Sequence, residues 1–351
     1  MTTPTLLQRY QQLKQEQTHL RQRDAASVLG VSEAVLVACL PETIPLQCQP
    51  AQLLPALATL GKLKSITRNQ VVVHETHGEY LNLTLSEKTG LVLNPDGLDL
   101  RLFLSHWQHA YALRQPGAQG LLHSLQFFDA QGEAINKLYL LEEEKLPAWE
   151  NLVQTHRLPA DIPAPSPVAV GSSNGAQPQL AASSDTSGFA DAWLALQDVH
   201  HFHALLKRYG LQRQQAFSLA PPGFAWRLHG TALTALLEGA AASALPIMAF
   251  VGNRGMVQIH TGPIKAVRRV GPWLNVLDPA FNLHILEEEI TALWLVRRPT
   301  RDGVITSVEV FDAAGESVLS FFGQRREGEP ELAAWRALAT ALPVLEVDHA
   351  A

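Results

Sequence analysis

Two hydrophobic periods alternate along the chain. Leu6 to Leu20 sets apolar residues near helical spacing among Gln, Lys and Arg, and Asp198 to Tyr209 repeats that pattern just before Gly210, a residue suited to a helix C-cap. Other runs alternate as strands do: Gln70 to His74, Leu81 to Leu85, Val257 to Ile259 and Ala292 to Val296, each bounded by turn-forming residues. Asp129-Ala-Gln-Gly132 and Asp312-Ala-Ala-Gly315 read as hairpin turns. Helices that precede strands, and strands joined by tight turns, predict an α+β fold with antiparallel sheets.

The pattern occurs twice. Leu98-Asp99-Leu100-Arg101-Leu102 matches Phe281-Asn282-Leu283-His284-Ile285, and Ser124 to Glu133 matches Ser307 to Glu316; both pairs are offset by 183 positions (98 to 281, 124 to 307). The same offset sets Tyr111 on Trp294, Pro116 on Pro299 and Gly120 on Gly303. A single gap-free register over that span indicates a tandem duplication of one helices-plus-antiparallel-sheet unit. Between the copies, Arg157 to Ser187 is dominated by Pro, Ala, Ser, Gly and Gln, and no periodic apolar face survives there. The division is therefore an N-terminal repeat over 1–156, a linker over 157–187 and a C-terminal repeat over 188–351.

A chain of 351 residues has room for two domains with cores of their own. The net charge of −6 removes the global basic field of a nonspecific nucleic-acid binder. Cys39 and Cys48 fit neither a redox pair nor a zinc cluster and read as reduced thiols. The N-terminus lacks a signal-peptide core, and the most apolar stretch, Ala232 to Val251, is interrupted by Glu238 and Pro246. These features point to a cytoplasmic protein.

Residues 25–36 pattern as a helix-turn-helix around Gly30, echoed around Gly210. Its second helix carries Glu33 and no Arg or Lys, and its recurrence in both copies favours a structural hairpin over a DNA-binding one. His74-Glu-Thr-His77 has the wrong spacing for a zinc protease, and strand geometry sends the two imidazoles to opposite faces. There is no GxSxG elbow, phosphate loop or GxGxxG fingerprint. The densest signal is Asp198-Val-His-His-Phe-His203 at the start of a predicted helix. His200 and His203 are one turn apart and share a face, and His201 points about 100° away. This is either a polar helix face with one half-buried histidine or a ligand site for a transition metal or haem iron, and the residues alone leave both open.

The chain resembles the cytoplasmic haem-utilisation proteins of Gram-negative bacteria, the HemS, ChuS, ShuS, HmuS and PhuS family of hemin transport and hemin-degrading proteins. The strings that carry the resemblance are Asp198-Val-His-His-Phe, Leu205-Leu-Lys-Arg, Ile247-Met-Ala-Phe-Val-Gly-Asn-Arg-Gly255, Gln258-Ile-His-Thr-Gly262, Gly271-Pro-Trp-Leu-Asn-Val-Leu-Asp-Pro279, Phe281-Asn-Leu-His284, Arg298-Pro-Thr300 and Phe322-Gly-Gln-Arg325. The triple histidine is most similar to PhuS of pseudomonads. The resemblance implies a HemS-like fold that binds haem b, iron protoporphyrin IX, in a cleft between one half's helix and the sheets. It assigns His200 as the proximal iron ligand and His203 as an alternative ligand. It assigns Arg101 as the distal arginine, catalytic if haem is cleaved, with Phe103 as an apolar wall. Arg213, Arg298 and Arg325 match positions that surround the propionates, which forked guanidinium donors hold best. Phe322 stands where relatives often have Tyr and lacks the hydroxyl donor. His200 aligns with Leu20 in the first copy, so one site per chain is implied.

Family membership leaves two roles. One is a trafficking protein that receives haem from an inner-membrane ABC importer and delivers it to a haem oxygenase; the other is an oxidoreductase that cleaves the macrocycle itself. The second histidine favours trafficking, since it offers a route for ligand exchange. A haem-responsive DNA-binding regulator is a third role, resting on residues 25–36 and on the sensing logic that haem would provide.

Overall fold

The computed structural model describes residues 4–94, 97–117, 120–159, 186–326 and 328–345. Most of the sequence-predicted linker, residues 160–185, lies outside them. The described residues divide into two compact units. One comprises those of Met1–Arg68, His74–Ser173 and Gly252–Gln258, and the other those of Asn69–Val73, Asn174–Val251 and Ile259–Ala351.

The first unit opens with three helices, α1 (Leu6–Glu16), α2 (Gln22–Leu29) and α3 (Glu33–Ala38). Then follow β1 (Thr43–Leu46), α4 (Pro50–Ala56), β2 (Lys62–Arg68), β3 (Val72–Glu79), β4 (Leu83–Leu85), β5 (Thr89–Leu93), β6 (Asp99–Phe103), β7 (His109–Gly117), β8 (Gly120–Phe128), β9 (Ala134–Leu140) and α5 (Leu146–His156). Its antiparallel strands run in the order β1-β7-β8-β9-β2, with β4-β5-β6 as a separate meander.

The second unit repeats the plan: α6 (Phe189–Leu194), α7 (His201–Tyr209), α8 (Arg213–Ser218), β10 (Ala225–Leu228), α9 (Ala232–Ala242), β11 (Ile247–Gly252), β12 (Met256–Gly262), β13 (Val267–Val270), β14 (Trp273–Leu277), β15 (Phe281–Leu286), β16 (Ile290–Thr300), β17 (Gly303–Asp312), β18 (Ser317–Gly323) and α10 (Ala333–Thr340). Its strand order, β10-β16-β17-β18-β11 with β13-β14-β15, is that of the first unit. The duplication extends to register: Tyr111 pairs Gln126 and Leu113 pairs Ser124, as Trp294 pairs Glu309 and Val296 pairs Ser307.

Period-2 alternation gives each long strand two buried faces. In the second unit Leu293, Leu295, Val308 and Val310 pack on α9 and α10, around a buried Trp335 whose indole N–H donates to the Thr306 carbonyl at 3.0 Å. Trp294, Val296 and Phe311 point the other way, onto Phe189, Trp193, Phe202 and Phe217 of α6, α7 and α8. In the first unit, Ala110 and Ala112 join the core under α4 and α5, and Tyr111, Leu113 and Phe128 meet α3. Gly30 and Gly210 both end their helices in left-handed backbone (φ 71° and 63°), which costs an L side chain about 1–2 kcal/mol. That explains glycine at the matching position of each copy.

Two short segments group with the unit built mainly from the other half of the sequence. Val71 and Val72 are in the second unit's core, and the Val71 carbonyl accepts from the Leu286 N–H at 2.9 Å. Met256 is in the first unit's core, and the Gly255 carbonyl accepts from the Phe103 N–H at 2.8 Å and the Trp107 indole at 3.0 Å. Among the described residues no helix is long and apolar enough to cross a membrane. The apolar run 232–251 is α9 followed by β11.

Candidate functional site

The histidine cluster sits at a helix start three residues later than its periodicity predicts. Asp198 Oδ1 accepts from the His200 backbone N–H at 2.8 Å, which holds 198–200 as a turn, and α7 begins at His201. His200 is the N-cap, in helical dihedrals (φ −67°, ψ −25°), so its one-turn relation to His203 survives. The same carboxylate meets His200 Nδ1 at 2.6 Å. With the carboxylate as acceptor, Nδ1 carries the proton and the Nε2 lone pair is left outward. The His200 side chain is 88% exposed. The hydrogen bond from the His200 backbone draws the Asp198 pKa down, against a small burial effect, and the imidazole adds to it. Asp198 therefore stays anionic and orients the ring through Nδ1. His201 and His203 are exposed as well.

Phe202, between those histidines, is buried and points to the sheet. Under its ring lies the Arg298 guanidinium, 4.3 Å from the centroid, with Arg213 at 5.6 Å. Both cations converge on Glu309, Arg298 Nη2 on Oε1 and Arg213 Nε on Oε2, each at 2.5 Å. Ser307 Oγ donates to Glu309 Oε1 at 3.0 Å and accepts from Arg298 Nη1 at 3.1 Å. Burial alone raises a carboxyl pKa; here the two guanidiniums outweigh it and hold Glu309 at about 2. Arg298 is 2% exposed. The sequence reading places it at a ligand carboxylate, whereas its terminal nitrogens are bound to Glu309 and Ser307. Arg213, at the start of α8, keeps a third of its side chain in solvent.

Phe322 lies on β18 opposite Ser307 and packs edge-on to Phe250, with ring centroids 5.2 Å apart. Arg325 is half-buried, with Nη2 3.3 Å from Asp302 Oδ2. In the first unit, Asp99, Arg101 and Phe103 share the face of β6 opposite the buried Leu100 and Leu102. Arg101 donates to Asp99 and is 38% exposed, as is Phe103. Burial raises the Asp99 pKa, and Arg101 opposes that rise.

Sequence reasoning missed Asp198 and Glu309. Asp198 lies inside the histidine string, and an Asp two residues before a histidine is a signal that was there to use. The helix-turn-helix segment is a real hairpin, α2 and α3, but Glu33, Ala34, Leu36 and Val37 of its second helix are buried and Glu33 pairs with Lys137 at 2.5 Å. That helix offers a groove neither a free face nor a cation. His74 is buried, with Nε2 2.8 Å from Thr76 Oγ1. Among the described residues no group of three or more His, Cys, Asp or Glu is arranged to hold a metal ion.

Comparison with known proteins agrees with the duplicated plan. A family model described as the haemin-degrading HemS/ChuX domain matches residues 30–156 and again 210–342, starting at the two C-cap glycines. The hemin transport protein HmuS of Yersinia pestis is 41% identical over 334 residues, 95% of each chain, and HemS of Yersinia enterocolitica is 40% identical over 335 residues, also 95% of each. Among solved structures, holo-PhuS, a heme-binding protein from Pseudomonas aeruginosa, is 42% identical with a TM-score of 0.88, covering 97% of this chain and 99% of that one. The heme degrading enzyme ChuS of Escherichia coli O157:H7 is 36% identical with a TM-score of 0.87, covering 95% and 98%. A domain matched twice, relatives aligned almost end to end and one helix-and-sheet plan in both units place this chain in the haemin-degrading HemS/ChuX-domain family, as a member with two copies.

Proposed function

We propose that this chain binds one haem b through His200 and acts in haem trafficking, receiving haem from an inner-membrane importer and delivering it to a haem oxygenase in the cytoplasm. The observation that carries the reading is the Asp198–His200 turn: one ring nitrogen is held by a carboxylate and the other faces solvent, the arrangement by which histidine ligates iron. His203, exposed one turn on, serves as the second ligand through which iron is passed. The partly exposed guanidiniums of Arg213 and Arg325 are suited to haem propionates, and Phe322 adds apolar surface without a hydroxyl donor. HmuS and HemS are hemin transport proteins by name, and PhuS a heme-binding protein.

A second reading is haem cleavage. It draws on ChuS, described as a heme oxygenase, and on Arg101, which Asp99 holds on an exposed strand face beside Phe103. In that case bound haem would supply the oxygen chemistry and Arg101 the guanidinium to polarise water or dioxygen. The experiment that separates the readings loads the protein with hemin, adds reductant and catalase, and follows tetrapyrrole product with and without a haem oxygenase. Trafficking predicts product only with the oxygenase present, and at a reduced rate for His203→Ala. Product from the chain alone, with peroxide scavenged, contradicts trafficking and establishes cleavage.

A further inference from the structure

The duplication supplies an internal control for the buried charges of the second unit. By strand register, Arg298, Ser307 and Glu309 correspond to Gln115, Ser124 and Gln126 of the first unit, and by the C-cap glycines Phe202 corresponds to Gln22. The first unit makes the same helix-to-strand contact with neutral groups: Gln22 Nε2 donates to Gln115 Oε1 at 3.1 Å, and Gln126 Nε2 to Ser124 Oγ at 3.1 Å. At the Arg298 and Glu309 positions the fold is thus built once with uncharged side chains and once with a guanidinium and a carboxylate taken out of water, a costly exchange; the buried pair of the first unit, Glu33 with Lys137, ties α3 to the sheet instead, Glu33 standing where the second unit has Arg213. The Arg298–Glu309 pair belongs to the copy that carries the histidine turn. The charges touch the turn at one place, where Arg298 and Arg213 stack on Phe202 of α7.

From this we infer that Glu309 is a positioning residue for the His200–His203 turn. It clamps Arg298 and Arg213 against Phe202 and so fixes the first turn of α7 on the sheet, holding His200 in the ligating position with His203 behind it. The inference rests on the reading of His200 as an iron ligand for its functional consequence, and on the ligand-free protein for its structural one.

Arg298→Gln/Glu309→Gln is the test variant, because it installs the neutral pair that the first unit already folds around; Glu309→Gln alone strands a buried guanidinium and serves as the unfolding control. In the ligand-free protein, amide hydrogen exchange over residues 199–206 is expected to speed up about tenfold in the double variant, with α2 (22–29) unchanged and the circular dichroism spectrum native. In the hemin complex the ferric spectrum is expected to become a mixture of His200- and His203-ligated forms. Adding His203→Ala collapses that mixture to one form, and haem release from the double variant is about tenfold faster than from the parent. A folded double variant with parental exchange over 199–206 overturns the inference, whatever haem does. Faster exchange beside an unchanged hemin spectrum overturns its functional half. A parent whose hemin spectrum ignores His200→Ala removes the iron-ligand reading, and the exchange result still decides the clamp.

Discussion

His260 makes the stability of the second unit depend on pH between 7 and 5. Its ring stacks on Phe281 with centroids 3.7 Å apart and planes within 5°, and its Nε2 is buried without a hydrogen-bond partner among the described residues. Burial lowers the imidazole pKa from 6.5 to about 4, against the opposing effects of Asp278 and the Gly262 backbone. Below pH 6.5 the unfolded chain takes up a proton that the folded one refuses until about pH 4. The unfolded state therefore binds more protons in that window, and stability falls as pH falls through it. The full shift corresponds to about 3 kcal/mol, of which about 2 kcal/mol is lost between pH 7 and pH 5. His260→Leu removes the proton uptake. Urea unfolding of both proteins at each pH isolates the effect, because histidines outside this stack cancel in the difference. The parent is expected to lose about 2 kcal/mol more than the variant on going from pH 7 to pH 5. Equal losses in the two proteins refute the reasoning.

Three further outcomes are expected. Asp198→Asn keeps the turn geometry but weakens the acceptor at His200 Nδ1, so hemin affinity falls about ten- to a hundredfold in a Soret titration while the melting temperature holds; unchanged affinity removes Asp198 from the site. Trp335→Ala empties a fully buried position and breaks the bond to Thr306, costing about 3–5 kcal/mol, read by urea unfolding. Lys137→Met leaves the Glu33 carboxylate, 4% exposed, without its cation and costs about 3 kcal/mol, most of it recovered in Glu33→Gln/Lys137→Met. Failure of that recovery means the pair is not what holds α3.

What could be read from the sequence was what depends on near neighbours or on repetition. The left-handed glycines, the hairpin turns at Asp129 and Asp312 and the 183-residue offset all appear in the structure at the positions their local chemistry requires. The histidine turn was legible as a cluster, but its helix starts later because one carboxylate captures the His200 amide, a competition that helical periodicity does not register. Glu309 was hidden for a different reason. In Ser307-Val-Glu-Val-Phe311 the alternation reads as one buried and one solvent face, yet α6 to α8 cover the second face and a cation from β16 meets the carboxylate there. The burial of Arg298 is hidden in the same way, since exposure is the ordinary state of arginine and only the three-dimensional partner shows otherwise. The grouping of Asn69–Val73 and Gly252–Gln258 follows from strand pairing across more than a hundred residues, which a local pattern does not encode.

The central claim is that His200 ligates haem iron. Titrating the purified protein with hemin in the Soret region, beside His200→Ala and His203→Ala, tests it most directly. The account predicts saturation at one haem per chain, a histidine-ligated spectrum that is changed in His200→Ala and kept in His203→Ala, and native circular dichroism for all three. No saturable Soret change, or a spectrum indifferent to His200→Ala, contradicts it and returns the cluster to an ordinary polar helix start.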